Sequence, residues 1–420
     1  MERILSEAEA ARDEVVKLCS DLIKFDSAHP EGRTDECVAY IQSYMDRHGV
    51  ETEIHSRNPK KPNIVARIPG EAETKILWVG HLDVVPIGKP EEWSHPPYGG
   101  EVDGVYIYGR GASDMKGACA AAMVAARLLN EMGCRNTVEF WFTADEEIGG
   151  DDGAKWLAES GRFKGDVCLI GDGTGGGLEH PAIDIGCKGS VPTKLIARGK
   201  TAHGSTPFLG DNAIKKLMRA IPYVERIAEF RLSLPEELEE PIRQSIEFIE
   251  ATIKLTDEQR EAVKRLYHYP TVSCNIIQGG VKRNVVPDYA EAVFDIRLTP
   301  GSDPQAVKRR IEELVEEAAI PGVEVEVNAP EQAGYYESPN TSFAKQLAET
   351  IELVTGRRPI FKILTGGTDA ISIERYAHIP CLGYGLSMVG EAHKPDEKNK
   401  IENLVLGVKV YTLFPMRYKA

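Results

Sequence analysis

Residues 77–86 read LWVGHLDVVP, an apolar run of strand length broken by Gly80, His81 and Asp83. Such a run is normally buried, and burying a histidine and a carboxylate is costly unless both find partners. Side chains alternate along a strand, so His81 and Asp83 share one side. Asp83 is therefore placed to hold the His81 imidazole in one tautomer, leaving the other nitrogen to bind a metal.

Working outward from this strand, strands and helices alternate from about residue 7 to 185. Helical periodicity covers residues 7–25 and 34–48, the latter with Thr34 as N-cap, and then 116–131 and 152–161. Strands are expected at 63–68, 75–85, 137–143 and 167–170. This alternation predicts an α/β fold whose central, mostly parallel sheet is flanked by helices.

The pattern changes after residue 185. A strand at 190–199, a helix at 212–229, strands at 271–277 and 290–298, a helix at 303–318 and a strand at 323–327 follow in turn. That order belongs to a small α+β unit of the ferredoxin-like kind. The charged stretch 236–265 reads as a solvated helical face. From about Pro330 the helix–strand alternation resumes. The expected organisation is a catalytic domain in two parts, 1–186 and 331–420, with residues 187–330 inserted between them.

The chain has 420 residues, 42% hydrophobic and 27% charged, with a formal charge of −15. That length suggests two domains, and the acidity argues against nucleic acid or an anionic membrane as partner. No apolar run approaches the ~18–20 residues of a transmembrane helix. The first 19 residues read as an amphipathic helix and not a secretion signal. Eight scattered cysteines with no CxxC pair fit reduced, buried thiols. A cytoplasmic location is expected.

Histidines and carboxylates concentrate in five short segments: GHLDVV (His81, Asp83), GRGASDMKG (Asp114), TADEEIGG (Asp145, Glu146, Glu147), GDGTGGG (Asp172) and GEAHKPDE (His393). Most lie near expected strand ends or in the loops that follow, where α/β catalytic sites are built. Three successive acids repel one another unless a cation neutralises them. A division of labour makes chemical sense of them: one glutamate binds metal and its neighbour takes a proton from an activated water. Two histidines with several carboxylates, and no cysteine ligand, suit zinc or another divalent first-row metal.

Taken in order, GHLDVVP, GRGASDMKGACAA, TADEEIGG, TAHGSTP, NVVP and TGGTDA…GEAHKPDE resemble the co-catalytic zinc amidohydrolases. That family includes acetylornithine deacetylase, succinyl-diaminopimelate desuccinylase, bacterial glutamate carboxypeptidase, aminoacylase and several dipeptidases. The resemblance implies two zinc ions per subunit, with cobalt or manganese able to substitute. It implies that His81 binds one ion, His393 the other, and that Asp114 bridges them, with Glu147 and Asp172 completing the two spheres. It makes Glu146 the general base and then the acid toward the leaving amine, and Asp83 the support of His81. The Asp114–Met115 peptide matches one that is cis in the family.

By the same resemblance His203 stabilises the oxyanion, in dimeric relatives from the partner subunit, and the inserted domain is a lid and dimerisation domain. Asn284, Arg297, Gly367 and Thr368 fall at substrate-contacting positions. The expected activity is hydrolysis of the amide bond of small N-acyl amino acids by a homodimer acting on small molecules. The alternative is a dipeptidase or carboxypeptidase with the same metal site. One departure favours that alternative: Asp172 stands where the deacylases often carry glutamate, and aspartate there is more typical of relatives that cleave dipeptides.

Overall fold

The computed structural model describes residues 2–173, 177–327 and 334–420. The expected boundary at residue 330 lies outside the described residues.

The larger of two main sheets has nine strands among the described residues. Thr137–Thr143, Lys75–His81, Val167–Ile170 and Cys381–Gly383 run side by side and parallel at its middle. Antiparallel strands Asn63–Ile68 and Glu51–His55 extend one edge, and Ala182–Cys187, with Ile360–Leu364 parallel beside it, extends the other. Interior parallel strands are covered on both faces and so read as unbroken apolar runs. Lys75–His81 fits that rule, being buried at every position after Lys75. On one face the alanine-rich helix Lys116–Met132 packs with Ile401–Arg417 against Trp78, Phe140 and Phe142. On the other, Leu77, Val79 and Trp141 meet the short helix Ala154–Glu159.

The second sheet is antiparallel, in the order Thr271–Gly279, Tyr289–Leu298, Thr193–Arg198, Val323–Val327. This is the strand order of a ferredoxin-like unit. Its central strand alternates strictly, turning Ala290, Ala292, Phe294, Ile296 and Leu298 inward beneath helices Ala213–Glu225 and Pro304–Ala318.

Three local expectations need correction. Residues 7–25 form two helices, Glu2–Ala10 and Arg12–Ile23, and the break at Ala11 keeps both Ala8 and Val15 buried. Thr34 stands at an N-cap position but does not cap, because its hydroxyl donates instead to the Pro62 carbonyl at 2.7 Å. The stretch 236–265 is only half solvated. Helix Asp257–Arg265 buries nothing, whereas Glu239–Thr252 buries Ile242, Ser245 and Phe248 against Ile360–Leu364. There Gln244 Oε1 and Ser245 Oγ accept the main-chain N–H groups of Phe361 and Ile363, satisfying a strand edge that would otherwise lie open.

Among the described residues no helix is long and apolar enough to cross a membrane. None of the eight cysteines is disulfide-bonded, and all but Cys274 are buried.

Candidate metal centre and active site

His81 ends the strand Lys75–His81, and the loops holding Glu146–Glu147 and Asp172 leave the carboxyl ends of its two parallel neighbours. Ligands bind at this end of open α/β sheets. His81 and Asp83 are both buried. The Nδ1–H of His81 donates to the main-chain carbonyl of Asp83 at 2.9 Å, while the Asp83 carboxylate stands 3.8 Å away. The residue that orients the imidazole is the expected one, but the group is its peptide carbonyl. The Asp83 carboxylate turns elsewhere, accepting the N–H groups of Glu146 and Glu147, each at 3.1 Å, and the Nε2–H of His29 at 2.9 Å.

The three successive acids separate in role. Asp145 adopts a left-handed backbone (φ 71°), unusual outside glycine. Its buried carboxylate pairs with Lys61 at 2.5 Å, so a lysine neutralises this acid. That leaves Glu146 and Glu147 on the following turn, Glu146–Ile148, facing the cleft.

Asp114 precedes helix Lys116–Met132, and the Asp114–Met115 peptide is cis. Its loop is gathered by Glu397, which sequence reading passed over. Glu397 Oε1 accepts the N–H groups of Gly111 (3.1 Å), Ser113 (2.8 Å) and Asp114 (3.0 Å), and Oε2 takes a 2.6 Å ion pair from Arg110. The two Asp114 oxygens then face one histidine each, Oδ1 at 3.2 Å from His81 Nε2 and Oδ2 at 3.1 Å from His393 Nε2. His393 Nε2 also lies 3.3 Å from Glu147 Oε2.

Two donor triads result, His81–Asp114–Asp172 and Asp114–Glu147–His393, each with its ligand atoms within 4.8 Å of one another. They share Asp114. Glu147 Oε1 is buried without a hydrogen-bond partner. A pair of all-oxygen-and-imidazole triads, a shared carboxylate and an unsatisfied buried oxygen fit a dinuclear cation site.

The electrostatics agree with that fit. Burial, with the charges of Asp172, Asp369 and Glu147 nearby, raises Glu146 well above the usual carboxylate range. Burial and the charge of Asp114 push Asp172 up to about 7. Burial likewise raises Asp369, which lines the same cleft, to about 7. Burial opposes ionisation of Asp114 as well, but hydrogen bonds from His393 and His81 hold it far below the usual range. Hydrogen bonds to Asp114 and Glu147 raise His393 to about 10.

These groups open onto a cleft of about 800 Å³, which Arg297, Gly367 and Thr368 also line. Lys188 is a further lining residue that sequence reading missed; its buried Nζ donates to the Leu266 carbonyl, and burial lowers it to about 7. His203 and Asn284 are not among the lining residues. They lie together on a separate two-stranded ribbon, Ala202–His203 with Val285–Val286, where exposed His203 meets Ser205 Oγ at 2.7 Å and the Asn284 carbonyl accepts the Gly204 N–H.

Comparison with known proteins gives the same picture along the whole chain. Succinyl-diaminopimelate desuccinylase of Rickettsia felis is 28% identical over 96% of this chain and 99% of its own. That of Methylocella silvestris is 30% identical over 94% and 96%. Among solved structures, the M20 family metallo-carboxypeptidase Sso-CP2 of Sulfolobus solfataricus superposes with a TM-score of 0.78 at 23% identity, covering 96% of this chain and 98% of its own. Human carnosine dipeptidase 1 does so with 0.73 at 21%, covering 99% and 98%. The profile of peptidase family M20/M25/M40 matches residues 77–417, from the strand that carries His81 to the helix that follows His393. With its shared-carboxylate site and this match across most of its length, the chain belongs to peptidase family M20/M25/M40 and is a hydrolytic enzyme of the metallopeptidase type.

Proposed function

We propose that this metal-dependent amide hydrolase acts on small N-acyl amino acids, in the manner of the desuccinylases, with two zinc ions held by His81, Asp114, Glu147, Asp172 and His393. The observation that carries the substrate class is the cleft itself, where Arg297 lines the same space as the acidic cluster and offers a cation to a substrate carboxylate. Likeness to desuccinylases over the full chain supports it. Zinc, which cobalt or manganese can replace, suits a histidine–carboxylate set without thiolates.

The metals, when bound, polarise the amide carbonyl and acidify a water. Glu146 takes the proton of the attacking water and returns it to the leaving nitrogen. Arg297, now paired with Asp295 at 2.7 Å, exchanges that partner for the substrate. Gly367 and Thr368 line the acyl or side-chain pocket, and Asn284 approaches with His203.

His203 serves as the oxyanion donor from the other subunit of a homodimer. Two observations support this. His203 stands off its own cleft, and the inserted domain leaves apolar surface uncovered, with Phe208 80% exposed, Val281 89% exposed and Ile277 61% exposed on the edge strand Thr271–Gly279. A cytoplasmic location is supported by the buried, unbonded cysteines. Dipeptides are the alternative substrate, favoured by aspartate at position 172.

The test is to strip the protein of metal, titrate zinc or cobalt back, and assay N-succinyl, N-acetyl and dipeptide substrates. Activity restored on N-acyl amino acids is the expected result. Activity on dipeptides alone would overturn the substrate assignment.

A further inference from the structure

We infer that His29 is a positioning residue for the catalytic turn, acting through Asp83 on Glu146 and Glu147. His29 lies ahead of the region that the family profile matches, residues 77–417. It reaches the site because residues 27–29 run parallel to 82–84. The His29 N–H donates to the Val84 carbonyl at 3.1 Å, Val84 N–H returns to Ser27 at 3.2 Å, and the Ser27 hydroxyl donates to the Leu82 carbonyl at 2.7 Å. This staple delivers the imidazole to Asp83 Oδ2 at 2.9 Å. A carboxylate only accepts, so Nε2 carries the hydrogen.

Asp83 is fully buried, and its two oxygens also accept the N–H groups of Glu146 and Glu147. Among the described residues His29 is the side chain that fixes this carboxylate by hydrogen bonding. The ring is itself held from behind. Gly32 sits at φ +55°, and a Cβ there would lie 2.5 Å from His29 Cε1, so the turn has room for the imidazole and for little else. Nδ1 is buried with no partner, which leaves the bond to Asp83 as the ring's one polar engagement among the described residues. A histidine kept solely for packing would not need a ring nitrogen aimed at a buried carboxylate, and an aliphatic side chain would fill the space at less cost.

The inference rests on the assignment of Glu147 as a ligand and Glu146 as base, so its test uses one readout that needs no substrate. Metal-stripped wild type, His29→Met and His29→Gln are titrated with Co²⁺, following the visible d–d absorption. The same loaded proteins are then assayed on N-succinyl-L,L-diaminopimelate for kcat and KM. Methionine fills the space without a donor, and the glutamine amide can reach Oδ2. Loss of a partner that orients a metal site typically costs 10–100-fold in affinity or activity. His29→Met is expected to lose about that factor in Co²⁺ affinity or in kcat, with KM within about twofold, and His29→Gln to recover most of the loss.

Wild-type cobalt binding together with wild-type kcat in His29→Met would overturn the inference. So would an equal loss in His29→Gln, or failure of both variants to fold, which would make His29 a folding residue. If wild type does not hydrolyse this substrate, kcat is read on whichever N-acyl or dipeptide substrate the panel shows to be cleaved, and the cobalt titration decides the role of His29 independently.

Discussion

Half-buried Glu146 and buried Asp369 are acids of one cleft, yet they make opposite predictions. Glu146→Gln keeps the shape and removes the proton acceptor, so kcat should fall by about 10²–10⁴ with metal content unchanged by elemental analysis. Asp369 is not a proposed ligand and should show its burial in stability. Its carboxyl titrates at about 7 in the folded chain against 3.8 when exposed. Between those values it is protonated folded and ionised unfolded, so stability falls as pH rises. The melting temperature of metal-stripped protein should therefore drop from pH 5 to pH 8, and Asp369→Asn should flatten that slope. Sequence reading gathered the candidate ligands because they cluster beside apolar strands and fall in family order. It could not find His29, Lys188 or Glu397. Each is an ordinary-looking residue whose role comes from a partner distant in sequence, Asp83, Leu266 and the loop before Asp114 respectively.

At the scale of elements, one side chain, Glu397, accepts three main-chain hydrogen bonds from the loop around Asp114. Glu397→Gln would leave the buried Arg110 without its counter-charge and weaken three main-chain hydrogen bonds. Breaking a buried pair costs about 3–5 kcal/mol. We expect a lower denaturation midpoint together with weaker zinc binding, measured by competition with a chelator. Most strands and helices were legible from period and composition, Lys75–His81 above all, because an interior parallel strand has no polar face to confuse its reading. The helix Glu239–Thr252 was legible as a helix, but its buried face was not. Its charges lie on one face, and the apolar stripe of Ile242 and Phe248 meets a strand more than a hundred residues on, Ile360–Leu364.

For the whole molecule, the proposed dimer predicts its own disruption. A lysine at exposed Ile277, on the edge strand Thr271–Gly279, should convert a dimer to a monomer by size-exclusion chromatography with light scattering. Activity should fall with it if His203 serves the neighbouring cleft. The sheet order carries a separate consequence, for synthesis. Strand Cys381–Gly383 lies between Val167–Ile170 and Ala182–Cys187, and His393 follows it. Translation proceeds at roughly 5–20 residues per second, so four of the five proposed ligands leave the ribosome well before the fifth. Until the late strand threads into its slot, the nascent polypeptide has a gap in its sheet and one triad without its histidine. A product terminated before His393 would therefore lack the histidine that the proposed second triad requires.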